Sequence, residues 1–176
     1  SSTVICIIFE ITFVFCIKRK VSENNMRPEF LKWPKASLMT TRPTIMGRKG
    51  MVTSGHYLAS MAGFNVLKSG GNAIDAAVAS CFCINLLEPQ NNGIGGEVPI
   101  LIYIAEQKKV VSISGVGWSA EDFTIDWCRE NNVDMIPGDG YLPACVPAVV
   151  DSWAQALARY GTMSFSQVLS FAIDLA

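Results

Sequence analysis

Residues 50–96 read GMVTSGHYLASMAGFNVLKSGGNAIDAAVASCFCINLLEPQNNGIGG, and the fold class turns on how this stretch is punctuated. Met51 to Thr53 follow the turn-forming Gly47-Arg48-Lys49-Gly50 and predict a short strand. Ser54 is the expected N-cap of the helix that follows. From His56 onward, Leu58, Ala59, Ala62, Val66 and Leu67 fall at helical spacing. Ser69-Gly70-Gly71 stops that helix, because glycine accepts the left-handed cap conformation. Asn72 is placed to cap a second helix. Ala73, Ile74, Ala76, Ala77, Ala79 and Cys81 make it apolar nearly all round, which predicts burial. Pro89 ends it, and Asn91-Asn92-Gly93-Ile94-Gly95-Gly96 is expected to turn with its backbone close to a neighbour.

Downstream, Val98–Ile104 and Val110–Ser114 have the pattern of two strands joined by the polar loop 106–109. Ser119 to Asn131 predicts a short amphipathic helix capped by Ser119, and Met135 to Val146 a Pro/Gly-rich loop. Pro147 to Tyr160 predicts a helix with proline near its first turn, stopped by Gly161. Ser164 is placed to cap the last helix. The order is mixed α/β and not a βαβ repeat.

Upstream, residues 4–17 (VICIIFEITFVFCI) form an apolar run broken by Glu10 and Thr12 and followed by Lys18-Arg19-Lys20. It is shorter than the roughly 18 residues of a spanning helix. Its charges come after the run, the reverse of a signal peptide. Residues 1–25 are thus open to two readings, a truncated membrane anchor or a non-native leader. Membrane association through residues 4–17 goes with the first. Residues 26–41, with Pro28 and Pro34, form a linker or arm on which Phe30, Leu31 and Trp33 are available to dock. The chain opens on Ser1 and reaches Ala176 within an amphipathic pattern, so the expectation is a piece of a longer protein. The location is open: membrane-anchored, extracytoplasmic and cytoplasmic placements all remain compatible.

The chain has 176 residues, of which 50% are apolar and 16% charged, an apolar balance that suits burial against more than itself. A net charge of −1 and no basic run interleaved with aromatics give no nucleic-acid footprint. Six cysteines, none in a Cys-x-x-Cys pair, and a single histidine supply neither a metal set nor a sign of a cofactor. The cysteines are expected to be reduced and structural.

Few side chains suggest chemistry. Gly115 to Ala120 (GVGWSA) has the Gly-x-Gly-x-x-Ala form of a dinucleotide fingerprint, but the strands before it predict a hairpin where the fingerprint needs a parallel unit. A structural turn is preferred and a nucleotide-binding module is the weaker reading. NNGIGG lacks the Gly-Lys-Ser/Thr ending of a P-loop. Glu88 and Glu97 flank that turn with nothing to set their separation. His56 is a candidate general base, with a capping or packing role preferred. Asp75 is explained by the dipole of its helix. No Gly-x-Ser-x-Gly elbow is present.

Arg42-Pro43-Thr44, Met46-Gly47, the stretch from Gly50 through LEPQNNGIGG, and GDGYLPACVPAVVDSWAQALARYG together resemble the start of the large subunit of the gamma-glutamyltransferase family. The resemblance runs from Arg42 to the end of the chain. Ala148 stands where the family often has glycine. It implies an N-terminal-nucleophile hydrolase fold, an αββα sandwich of two stacked sheets between helices. It also implies a precursor that cleaves itself into two subunits, with the new N-terminal threonine of the small subunit as nucleophile. That threonine lies far downstream in such enzymes, so this chain is expected to contain no catalytic nucleophile and to be inactive alone. The implied partners are its own small subunit and a small-molecule gamma-glutamyl or acyl-amide substrate.

By the same resemblance, an arginine that grips the substrate α-carboxylate falls at or near Val116. In the Gly-x-Gly-Arg arrangement of acylase-like members it falls at Trp118. Neither residue can make the bidentate bond of arginine to a carboxylate. The resemblance therefore leaves an acylase-like substrate open beside a gamma-glutamyl one. A non-catalytic remnant or interaction module is the alternative of a different class.

Overall fold

The computed structural model describes residues 3–8, 13–18 and 45–176, with side chains from residue 45 onward. The expected arm at 26–41 lies outside the described residues. Five antiparallel strands form one sheet: β1 (Thr3–Ile8), β2 (Phe13–Lys18), β3 (Gly50–Thr53), β4 (Ile100–Ile104) and β5 (Lys109–Ile113). Their order across the sheet is β3-β2-β1-β4-β5. Thr3 pairs opposite both Lys18 and Ile104, and Lys18 opposite Gly50. The apolar run at the start of the chain thus supplies the two central strands. An apolar run of that length gives strand and helix the same local signal, and β3 and β4, far along the chain, provide the pairing that selects strand.

Helices α1 (Tyr57–Lys68) and α2 (Ala73–Leu87) pack on the sheet. Every residue of α2 from Ala73 to Ile84 is buried, as its all-round apolar pattern predicts. Ile100 and Ile102 of β4 join the same core, while Leu101 and Tyr103, pointing the other way, are exposed. The described residues thus form one sheet with α1 and α2 on one face. No described helix is long and apolar enough to cross a membrane.

Three helices complete the structure: α3 (Ile125–Glu130), α4 (Val149–Tyr160) and α5 (Phe165–Leu175). Trp153 of α4 is fully buried, and Phe82 of α2 meets it edge-on at 4.4 Å. Phe165 of α5 packs edge-on against the same Phe82 at 5.6 Å. Such pairs contribute about 1 kcal/mol each beyond their buried area.

Two expected caps are corrected. His56, not Ser54, caps α1: its Nδ1 accepts the Leu58 amide, while the Ser54 hydroxyl donates to the His56 carbonyl. Thr124, not Ser119, caps α3, which begins five residues later than expected because the chain first turns at 120–123, where the Phe123 amide donates to the Ala120 carbonyl. Asn72 and Ser164 cap α2 and α5 as expected, each within a capping box.

Asp75 does more than complement a dipole. It is fully buried. Its carboxylate accepts from the Asn72 amide at 2.7 Å, the Thr162 hydroxyl at 2.6 Å, the Thr162 amide at 2.9 Å and the Met163 amide at 3.1 Å. Asn72 Nδ2 in turn donates to the Tyr160 carbonyl at 2.6 Å. The start of α2 is thereby bolted to the α4–α5 corner. Asp75→Ala removes the one acceptor shared by these part-buried donors and empties its buried site. Equilibrium denaturation should show a loss of about 3 kcal/mol or more, and a change within a few tenths would remove the bolt from the account.

Cys81 and Cys83 are buried as thiols, whereas Cys145 is exposed and Cys128 half-buried. Burial pushes the Cys83 thiol up to about 11 from its ordinary 9.0. It therefore holds its proton at neutral and mildly basic pH, and its contribution to stability declines as pH rises from 9.0 towards 11. Under native conditions at mildly basic pH, mass spectrometry after brief alkylation should find Cys145 modified and Cys83 intact until denaturant is added.

Candidate functional site

The segment after β5 runs in a groove between two other parts of the backbone. The Val98 amide donates to the Gly115 carbonyl at 2.9 Å, and the Val146 amide donates to the Trp118 carbonyl at 2.8 Å. The Ala148 amide donates to the Gly96 carbonyl at 3.1 Å. These bonds stitch together the end of the NNGIGG turn, the approach to β4, residues 115–118 and the entry to α4.

The two glycines of GVGWSA are demanded by that stitching. A Cβ on Gly115 would meet the Val98 carbonyl oxygen, and its φ of +58° is unfavourable for other residues. A Cβ on Gly117 would meet the Val146 carbonyl oxygen. No room is left for a phosphate at either glycine. The preceding strands β4 and β5 are an antiparallel hairpin, so the parallel unit that a dinucleotide fingerprint requires is missing. The nucleotide-binding reading is overturned on both counts.

Between the glycines, Val116 is 48% exposed and, beyond them, Trp118 is 86% exposed. Both predicted substrate positions thus lie on one short, backbone-locked segment with their side chains to solvent. No cation stands at either. Arg129, the next cation along the chain, is spent on Asp126 at 3.0 Å. Beside this segment lies a cleft of about 220 Å³ lined by Ala120, Asp122, Phe123, Trp127, Tyr141, Leu142 and Ala144. Phe123 and Trp127 meet edge-on at 5.5 Å and make its aromatic wall. This cleft was not anticipated from the sequence. The only hint there is the four-residue spacing of Phe123 and Trp127, and Tyr141 arrives from the following loop.

The remaining candidates are placed elsewhere. His56 caps α1 and stacks on Tyr57 at 4.7 Å, so the capping role holds and no nucleophile–base pair forms with it. The Ser54 hydroxyl near it is 2.6 Å from the Ser60 hydroxyl. The Glu88 carboxylate lies against Gly55, about where a side chain on that residue would start. Glu97 is exposed without a partner among the described residues. The NNGIGG turn approaches a neighbour only at its end, where Gly96 takes the Ala148 amide; nothing comes within 4 Å of a Cβ built on Gly93 or Gly95. Among the described residues no group of three or more His, Cys, Asp or Glu is placed to hold a metal ion.

Residues 59–176 match the gamma-glutamyltranspeptidase family. The chain belongs to that family. It is 41% identical over 134 residues to the glutathione hydrolase-like YwrD proenzyme of Bacillus subtilis, a match covering 76% of this chain and 25% of the relative. It is 38% identical over 139 residues to the acylase ACY 1 proenzyme of a Pseudomonas strain, covering 74% of this chain and 25% of that protein. The crystal structure of Helicobacter pylori gamma-glutamyltranspeptidase superposes with a TM-score of 0.68 at 35% identity, over 76% of this chain and 39% of that one. The fold is thus that of the N-terminal-nucleophile hydrolases to which these enzymes belong, and the chain spans about a quarter of the curated relatives' length. Hydrolases and acylases both lie among these relatives, and both are proenzymes by name. Within this family frame, residues 115–118 and the aromatic cleft form the candidate substrate-facing region.

The glycine at 115 gives the region a direct test. Gly115→Ala should cost at least about 2 kcal/mol in unfolding free energy through its left-handed backbone alone. An unchanged denaturation midpoint would show that the 115–118 segment is not locked against β4.

Proposed function

We propose that this chain is the substrate-facing start of the large subunit of a gamma-glutamyltransferase-like enzyme. In this reading it supplies one wall of an acyl-binding pocket and no nucleophile. The attacking threonine, activated by its own amine, comes from a small subunit released from the same precursor. It attacks an amide carbonyl, the amine leaves, and the acyl-enzyme passes to water or to an acceptor amine. The reading is supported by the backbone-locked 115–118 segment, which carries Val116 and Trp118, the positions that the resemblance assigns to the missing arginine, with their side chains exposed.

The chain on its own should then release no product from glutathione or from a chromogenic gamma-glutamyl anilide. Turnover by the purified 176-residue chain would overturn the assignment of the nucleophile to another subunit.

Specificity in this reading leans towards uncharged acyl groups. A substrate α-carboxylate finds no arginine at Val116 or Trp118, and the aromatic cleft beside them suits an apolar acyl chain. A chimera that carries residues 59–176 of this chain in the Bacillus subtilis relative tests the point. It should favour simple acyl amides over gamma-glutamyl amides. Val116→Arg, or Trp118→Arg in the other register, should then raise kcat/KM for the gamma-glutamyl substrate by roughly 10- to 100-fold, the worth of one charge-assisted pair. A chimera that prefers glutathione without either arginine would sink the acylase-like reading while leaving the family assignment intact.

A further inference from the structure

The net charge of −1 hides a division. Ten of the 14 Lys and Arg residues, but only three of the 15 Asp and Glu, lie in residues 1–74. That part carries +7 and residues 75–176 carry −8. From Phe30 to Ile74 there is no acidic residue at all. Such asymmetry between halves points to an anionic partner.

Three of these cations, Arg48, Lys49 and Lys68, are in the described part and stand together at one end of an apolar face of α1. Tyr57, Met61, Phe64 and Lys68 follow one another at helical spacing along one side. The first three are 66%, 51% and 54% exposed. The opposite side, with Ala59, Ala62 and Val66, is buried. The segment before β3 runs alongside: Gly47 to Gly50, Phe64, Leu67 and Lys68 line one cavity of about 490 Å³. Arg48, Lys49 and Lys68 are exposed, and none meets a carboxylate among the described residues. Ile45 and Met46 beside them are exposed as well. Backbone pairing sets Lys18 opposite Gly50, which brings the start of the Lys18-Arg19-Lys20 run to this same end of the sheet.

We propose that this face is a peripheral docking surface for a bilayer of anionic phospholipid. Arg48, Lys49 and Lys68 meet the headgroup phosphates and carboxylates. Tyr57, Met61 and Phe64 enter the boundary between headgroups and acyl chains, where aromatic and flexible apolar side chains are favoured. The helix lies in the plane of the surface and does not span it. Charge complementarity selects the lipid, and the exposed apolar row selects a bilayer over nucleic acid, whose phosphate backbone offers such side chains little. This surface lies on α1 and the 45–50 segment, apart from the Val116–Trp118 region, and does not rest on the proposed reaction.

Sedimentation of the 176-residue chain with mixed phosphatidylserine–phosphatidylcholine vesicles, and with phosphatidylcholine alone, tests it. Binding is expected to the mixed vesicles only, and is expected to weaken as salt is raised. The triple variant R48Q/K49Q/K68Q should bind roughly a hundredfold more weakly, about fivefold for each cation removed. Tyr57→Ser with Phe64→Ser should weaken binding while leaving its salt dependence in place. Lys108→Gln with Lys109→Gln, in the β4–β5 hairpin, should change nothing. All these positions are exposed, and thermal melts matching the parent chain will show that the fold is kept; the salt titration needs no variant. Equal binding to phosphatidylcholine, no binding, or full binding by the triple variant would overturn the proposal. So would a preference for duplex nucleic acid, or salt-sensitive self-association of the basic half with the acidic half in place of vesicle binding.

Discussion

One buried carboxylate holds the helical layer in place. Asp75 lies in the first turn of α2, where its own helix offers amide donors, yet most of its hydrogen bonds reach Thr162 and Met163 at the α4–α5 corner. Gly161 leaves space for it, since a side chain there would begin 2.8 Å from the carboxylate. With the ends of α2 and α4 joined, Trp153 can lie over Phe82 and Phe165 can close on the other side. α4 then begins where Ala148 hydrogen-bonds Gly96, beside the segment carrying Val116 and Trp118. The entry to α4 beside that segment is thus tied, through α4 itself, to the Asp75 contact at its other end.

Much of this was legible along the chain. Alternation and glycine punctuation place β3, α1, α2, the β4–β5 hairpin, α4 and α5, because each is decided by neighbours within a few residues. The two misplaced caps show the limit of that rule. Ser54 and Ser119 are good capping residues, but the chain enters helix only after it has turned, at His56 and Thr124. Asp75 was understood only by half, for the groups that explain its burial lie 87 and 88 residues away. The central strands at the start of the chain were illegible for the same reason: their register is set by β3 and β4.

The candidate site divides in the same way. The positions Val116 and Trp118 came from resemblance, and the structure adds why the residues between and beside them are glycine: carbonyl groups of Val98 and Val146 press against them. The aromatic cleft required knowing that the loop carrying Tyr141 folds back over Phe123 and Trp127. No local pattern announces that return. A glycine motif that looked like a phosphate cradle proves to be a consequence of close backbone packing, with the chemistry left to the side chains around it.

The strand order has a consequence for how the protein folds. β1 and β2 precede the other strands in the sequence, yet β1 closes onto β4, with Thr3 opposite Ile104. A hairpin of two neighbouring strands forms within microseconds and its β2 strand can take up β3 once Thr53 exists, but β1 meets its other neighbour only after Ile104 is made, closing a much longer loop. During synthesis α1 and α2 can pair while the middle of their sheet is still open. Until β4 exists, the free edge of β1 stands unpaired and open to other chains.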